Sequence, residues 1–125
     1  MLALRHRWLW GTASVVLVLG VIWGSLQTSV DIPVPGGFDK FEHLGTYLVL
    51  ALWFTGMFPR ARYWAVVGAL LLLGLSMEVG QYLMHAGRLA DPDDMAANTA
   101  GVVLGLAVAL LATGGWTPKV DAWLS

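Results

Sequence analysis

Residues 63–84 read YWAVVGALLLLGLSMEVGQYLM, a run of helix length that holds one charged side chain, Glu78. A helix needs about 20 predominantly apolar residues to cross a hydrocarbon core of roughly 30 Å, and this run supplies them. Ser76, Glu78 and Gln81 interrupt it, all in its second half. Toward the N-terminus, residues 41–58 begin polar, are apolar from Leu44 to Phe58, and stop at Pro59-Arg60-Ala61-Arg62. Before that, residues 8–26 carry no charge and follow Arg5-His6-Arg7. The stretch is longer than the apolar region of a signal peptide and lacks a small-residue cleavage site, so it reads as a retained span. Toward the C-terminus, residues 92–112 open at Asp91-Pro92-Asp93-Asp94 and end at Gly114-Gly115-Trp116-Thr117-Pro118. Asp91 suits an N-cap and Pro92 the first helical position, where no N–H is lost. Asp93 and Asp94 then complement the helix dipole.

Composition agrees with lipid as the solvent. Of 125 residues, 58% are hydrophobic and 12% charged, with mean hydropathy +0.70; soluble domains carry roughly a quarter charged residues. The net charge of -1 offers no basic stripe, so no nucleic-acid partner is expected. Cysteine is absent, which removes disulfides, thiolate nucleophiles and Cys-ligated metals. The expected fold is all-α: one membrane domain over residues 1–125, an integral bundle of four transmembrane helices at about 8–26, 41–58, 63–84 and 92–112. Backbone polar groups must be satisfied internally in hydrocarbon, and the connections are short, so the helices should alternate in direction. Arg5, Arg7, Arg60, Arg62 and Lys119 fall at the two termini and the middle loop, against Lys40 and Arg88 elsewhere. The positive-inside rule therefore puts both termini in the cytoplasm. Trp8, Trp10, Trp23, Trp64 and Trp116 lie near span ends, as interfacial anchors do. Ala97, Gly101, Gly105 and Ala109 form a small-residue stripe for close helix packing, with Gly20 and Gly24 a weaker one. The Gly101/Gly105 face could also seat a second copy of the chain.

Polar residues inside such spans carry the functional signal. Asp39, His43 and Tyr47 share one face at the entry of the second helix, with Lys40 beside them. Glu78 and Gln81 share a face of the third helix, and an ionised Glu78 at that depth costs at least ~2.5 kcal/mol unless paired or hydrated. Arg88 precedes Asp91, Asp94 and Asn98, which share a face at the start of the fourth helix. All three groups approach one outer side, which predicts a pocket lined by Asp39, Lys40, His43, Tyr47, Glu78, Gln81, Arg88, Asp91, Asp94 and Asn98. Plainer readings exist for several of these. Lys40 and Arg88 could simply pair with Asp39, Asp91 or Asp94; Asp91 could only cap; Tyr47 could be an interfacial aromatic. His43, Glu78 and Asp94 offer metal donors but come from separate helices and match no recognised ligand spacing, so no cofactor is expected. No Ser or Cys has a nucleophile motif around it, and Ser76 faces away from Glu78.

In order, Asp39-Lys40-x-x-His43-x-x-x-Tyr47, Glu78-x-x-Gln81 and Arg88-x-x-Asp91-x-x-Asp94-x-x-x-Asn98-x-x-Gly101-x-x-x-Gly105 resemble the VanZ-like family of small bacterial membrane proteins. The resemblance covers about residues 38–110; the first helix carries nothing diagnostic. It implies a multi-pass protein of the bacterial cytoplasmic membrane and an association with low-level resistance to teicoplanin, a lipidated glycopeptide. It brings no defined reaction with it. Two functional classes follow. The pocket either binds a polar or anionic group of a membrane lipid or lipidated small molecule through Lys40, Arg88, His43 and Asn98, or it modifies or hydrolyses an envelope lipid. In the second case His43 or Glu78 would be the catalytic acid–base group, with Arg88 stabilising negative charge. A third reading makes the chain an assembly or scaffold factor.

Overall fold

The computed structural model describes residues 1–26, 38–84 and 92–124. Their regular structure is entirely helical: α1 (Arg7–Leu26), α2 (Phe38–Met57), a 3-10 turn at Arg60–Arg62, α3 (Tyr63–Met84), α4 (Pro92–Val108) continued by a π-helical turn at Ala109–Thr113, and α5 (Trp116–Trp123). Pro92 opens α4 and Asp93 and Asp94 occupy its first turn, as the capping logic requires.

Among the described residues three helical stretches, not four, are long and apolar enough to cross a membrane: Arg7–Leu26, Arg60–Leu83 and Pro92–Thr113. The expected span at 41–58 has the length, since α2 runs for 20 residues. It falls short in apolarity because Asp39, Lys40, Glu42 and His43 fill its first two turns and Thr46 and Thr55 follow. α2 is also heavily enclosed. Tyr47, Leu50, Ala51, Thr55 and Met57 are buried, and Tyr47, Leu50 and Ala51 form the core with Val66, Leu70 and Val102.

Close approach of α2 and α4 depends on two glycines. A Cβ on Gly101 would overlap the Leu44 carbonyl oxygen, and one on Gly105 would stand 2.5 Å from the Ala51 Cβ. The small-residue stripe of α4 therefore packs within the chain, and the Gly101/Gly105 face is occupied by α2. The weaker stripe on α1 meets no packing partner among the described residues, where a Cβ on Gly20 or Gly24 would find nothing within 4 Å.

α1 is buried only at Trp10 and Ser14. There it is pinned. The Trp53 indole donates to Ser14 Oγ (2.8 Å), Ser14 Oγ donates to the Trp10 carbonyl (2.8 Å), and the Trp116 indole donates to the Leu52 carbonyl (2.8 Å). Trp10, Trp53 and Trp116 meet with centroids 5.6 to 5.8 Å apart in tilted and edge-on pairs. Trp8, Trp23 and Trp64 are exposed as interfacial anchors should be, but Trp10 and Trp116 are packing residues. Asp121 of α5 completes this end. It accepts from the Arg5 and His6 backbone amides, the His6 ring and the Trp10 indole, so it caps the start of α1 from the far end of the sequence.

Candidate functional site

Opposite the tryptophan cluster, where α2 and α4 begin and α3 ends, the polar residues of three helices meet. His43 and Asn98 lie on α2 and α4 a short way in from their starts, and the glycine-mediated approach of those helices brings the side chains together. His43 Nδ1 lies 3.0 Å from Asn98 Oδ1, and His43 Nε2 lies 3.7 Å from Asp94 Oδ2. With the Asn98 oxygen toward the ring, Nδ1–H donates to it, and Nε2 lies on the Asp94 side beyond hydrogen-bond distance of the carboxylate. Asn98 and Asp94 are buried, and His43 is half-buried.

Tyr47, one turn beyond His43, is 2% exposed, and its hydroxyl has no hydrogen-bond partner among the described residues. It approaches α3 over Gly74, where an added Cβ would lie 3.5 Å from the hydroxyl and 3.2 Å from Asn98 Nδ2. Gly74 thus lets α2 and α4 set their polar side chains against α3. One turn further along, Glu78 is buried and close enough to Tyr47 to interact electrostatically. Gln81 is buried too, but its amide reaches across to α1, donating to the Ser25 carbonyl at 2.7 Å.

His43 and Tyr47 line a partly open cavity of about 490 Å³ between α1 and α2. Gly20, Gly24 and Ser25 of α1 form part of the opposite wall, with Glu42 and Thr46 beside His43. The bare glycines put no side chain into this space, so the α1 side of the cavity stays open. Glu78 also borders an apolar groove of about 920 Å³ between α3 and α4.

Of the ten residues expected to form the pocket, His43, Tyr47, Glu78, Asp94 and Asn98 gather at this end, with Gln81 tying in α1. Asp39 and Lys40 lie in the first turn of α2, and their side chains, like the whole of Arg88 and Asp91, fall outside the described residues. Glu42, Thr46 and Gly74 were not singled out from sequence. Glu42 and Thr46 are four apart and share a face adjacent to His43, and Gly74 is four before Glu78, so helical periodicity carried the signal. Among the described residues no three His, Asp or Glu side chains converge as metal ligands.

A family model described as VanZ/LLP1 matches residues 6–113. No curated protein and no solved structure matches the chain significantly.

Proposed function

The chain belongs to the VanZ/LLP1 family, and from that membership we propose a multi-pass protein of the bacterial cytoplasmic membrane whose cavity between α1 and α2 binds a polar or anionic group of a lipid or lipidated compound. In this reading α2 crosses the bilayer with the three more apolar helices, both termini are cytoplasmic, and the cavity opens on the outer side. The observation that carries the reading is that Tyr47, whose buried hydroxyl has no hydrogen-bond partner among the described residues, lines this cavity beside the His43–Asn98 pair. A buried hydroxyl left unpaired costs about 1–3 kcal/mol, and a polar ligand group seated in the cavity repays it. Lys40 and Arg88, at the ends of the flanking segments, add positive charge for an anionic group. Low-level teicoplanin resistance follows if the lipidated glycopeptide, or the lipid it needs, is the occupant.

The geometry favours binding over hydrolysis. A general base must present a ring nitrogen to its substrate, and His43 already spends Nδ1 on Asn98 and holds Nε2 toward the Asp94 side. The experiment is teicoplanin susceptibility of bacteria expressing the wild type, His43→Ala or Glu78→Gln, with membrane level and thermal stability of each protein followed in parallel. The expected result is protection by the wild type and loss of protection in variants that remain folded. Sensitivity unchanged by the wild type would remove the antibiotic from the proposal. A change in lipid masses in extracts, absent with His43→Ala, would establish the enzymatic reading instead.

A further inference from the structure

A second cavity lies at the opposite end of the bundle, away from His43 and Tyr47. Partly open, it measures about 700 Å³ and runs between Val18 of α1, Phe54 of α2 and Ala65, Ala69 and Leu73 of α3, with Met1 and Arg62 also lining it. Its volume falls in the range of ligand pockets, roughly 300–1,000 Å³. From Arg62 to Leu73 the α3 wall rises about 16 Å at 1.5 Å per residue, so the space is a slot along the helix axes and not a surface dimple. Apart from the arginine, every lining residue is apolar.

The two neighbouring arginines do different work. Arg60 donates from Nη2 to the Leu110 carbonyl at 2.8 Å, in the π-helical turn that ends α4. Arg62 is exposed, and its guanidinium has no hydrogen bond or ion pair among the described residues. It sits where α3 begins, so the positive end of that helix dipole adds to its charge. Arg5, Arg7 and Lys119 belong to the same end, whose one side-chain carboxylate among the described residues, Asp121, is already committed to the start of α1. An apolar slot roughly half a bilayer deep with an uncommitted guanidinium at its mouth has the chemistry of one lipid: an acyl chain inside, a phosphate at the rim.

We propose that the slot between α1, α2 and α3 holds an acyl chain of an anionic phospholipid whose phosphate pairs with Arg62. The lipid fills the space that the small side chains of Ala65 and Ala69 leave open, and it fastens α1 to α3 at mid-depth. The site is independent of the polar cavity and of whatever that cavity binds.

Native mass spectrometry of the detergent-purified full chain tests it, with phosphatidylglycerol and phosphatidylethanolamine of identical acyl chains as probes. The wild type should retain one phosphatidylglycerol roughly tenfold more strongly than phosphatidylethanolamine, whose ammonium cancels the net negative charge that Arg62 attracts; that ratio is the scale of one charge-assisted contact. Arg62→Gln should bring the two lipids to parity. Arg7→Gln, a charge change at the same end but off the slot, should keep the preference. Ala69→Phe fills the slot and should lower retention of both lipids, with unchanged helicity by circular dichroism. Equal retention of the two lipids by the wild type, an equal loss in Arg7→Gln and Arg62→Gln, or full retention by Ala69→Phe would overturn the proposal.

Discussion

Tyr47 has a hydroxyl that the protein buries without giving it a partner among the described residues, and this separates a binding role from a structural one. Tyr47→Phe removes an unsatisfied polar atom and keeps the ring that packs in the core. The ligand-free variant should therefore melt at or above the wild-type temperature. Stabilisation by the occupant of the polar cavity should fall about tenfold in concentration dependence, the scale of one lost hydrogen bond. A fall in ligand-free melting temperature would mean the hydroxyl is structural. Asp121 makes the opposite case, a side chain with more partners than any other described here. Burial alone would raise its carboxyl, but hydrogen bonds from the Trp10 indole, the Arg5 amide and the His6 ring and amide more than offset this, lowering it from 3.8 to about 2. A carboxylate depressed in the folded state stabilises at pH above its unfolded value and loses that contribution as pH falls through the folded one. Thermal melts in detergent should thus weaken between about pH 4 and about 2. Asp121→Asn should be less stable at neutral pH and lack this acid-dependent component; an Asp121→Asn melt that still follows the wild-type profile over this range would refute the assignment.

At the level of elements, α2 and α4 are matched through Gly101 and Gly105. Gly101→Ala forces a methyl into the Leu44 carbonyl, which is backbone and cannot rotate away, so the cost should exceed the ordinary overpacking range of about 1–3 kcal/mol. Reduced membrane levels and a lower melting temperature are the expected readouts. Gly20→Leu is its counterpart: its Cβ enters open space, so the protein should fold normally while its cavity is filled and ligand stabilisation is lost. These two elements also mark what could be read from the sequence. The four-residue spacing of His43 and Tyr47, and of Asp94 and Asn98, placed each pair on one face, and the α4 stripe announced a close packing partner. Periodicity says which residues share a face but not what that face meets. So the Gly101 stripe looked equally fit for another copy, and Gln81 looked like a pocket residue although its amide clasps Ser25 of α1. The tryptophan cluster was hidden for the same reason. Trp10 and Trp64 have similar sequence contexts near span ends, and only long-range contacts, such as Trp10 with Trp53 and with Asp121, distinguish packing from anchoring.

For the molecule as a whole, α1 is the least integrated helix. It is pinned by tryptophans and Asp121 at one end and by Gln81 at the other, and it has open cavities against its middle. The orientation proposed above is directly testable because the chain has no native cysteine. A cysteine replacing Val34 should react with an impermeant reagent added to intact cells, and one replacing Ala3 only after lysis; the reverse pattern inverts the topology.

The polarity of α2 bears finally on biogenesis. α1 and α3 have both the length and the apolarity of spanning helices, and α2, made between them, does not. The glycine face that covers its backbone belongs to α4, which the ribosome delivers last of the long helices. Nascent chains halted before Asp94 should therefore keep α2 extractable or held by the insertion machinery, and those extended past Gly105 should release it into the bilayer. If α2 crosses the bilayer as proposed, its commitment to the membrane waits on the synthesis of α4.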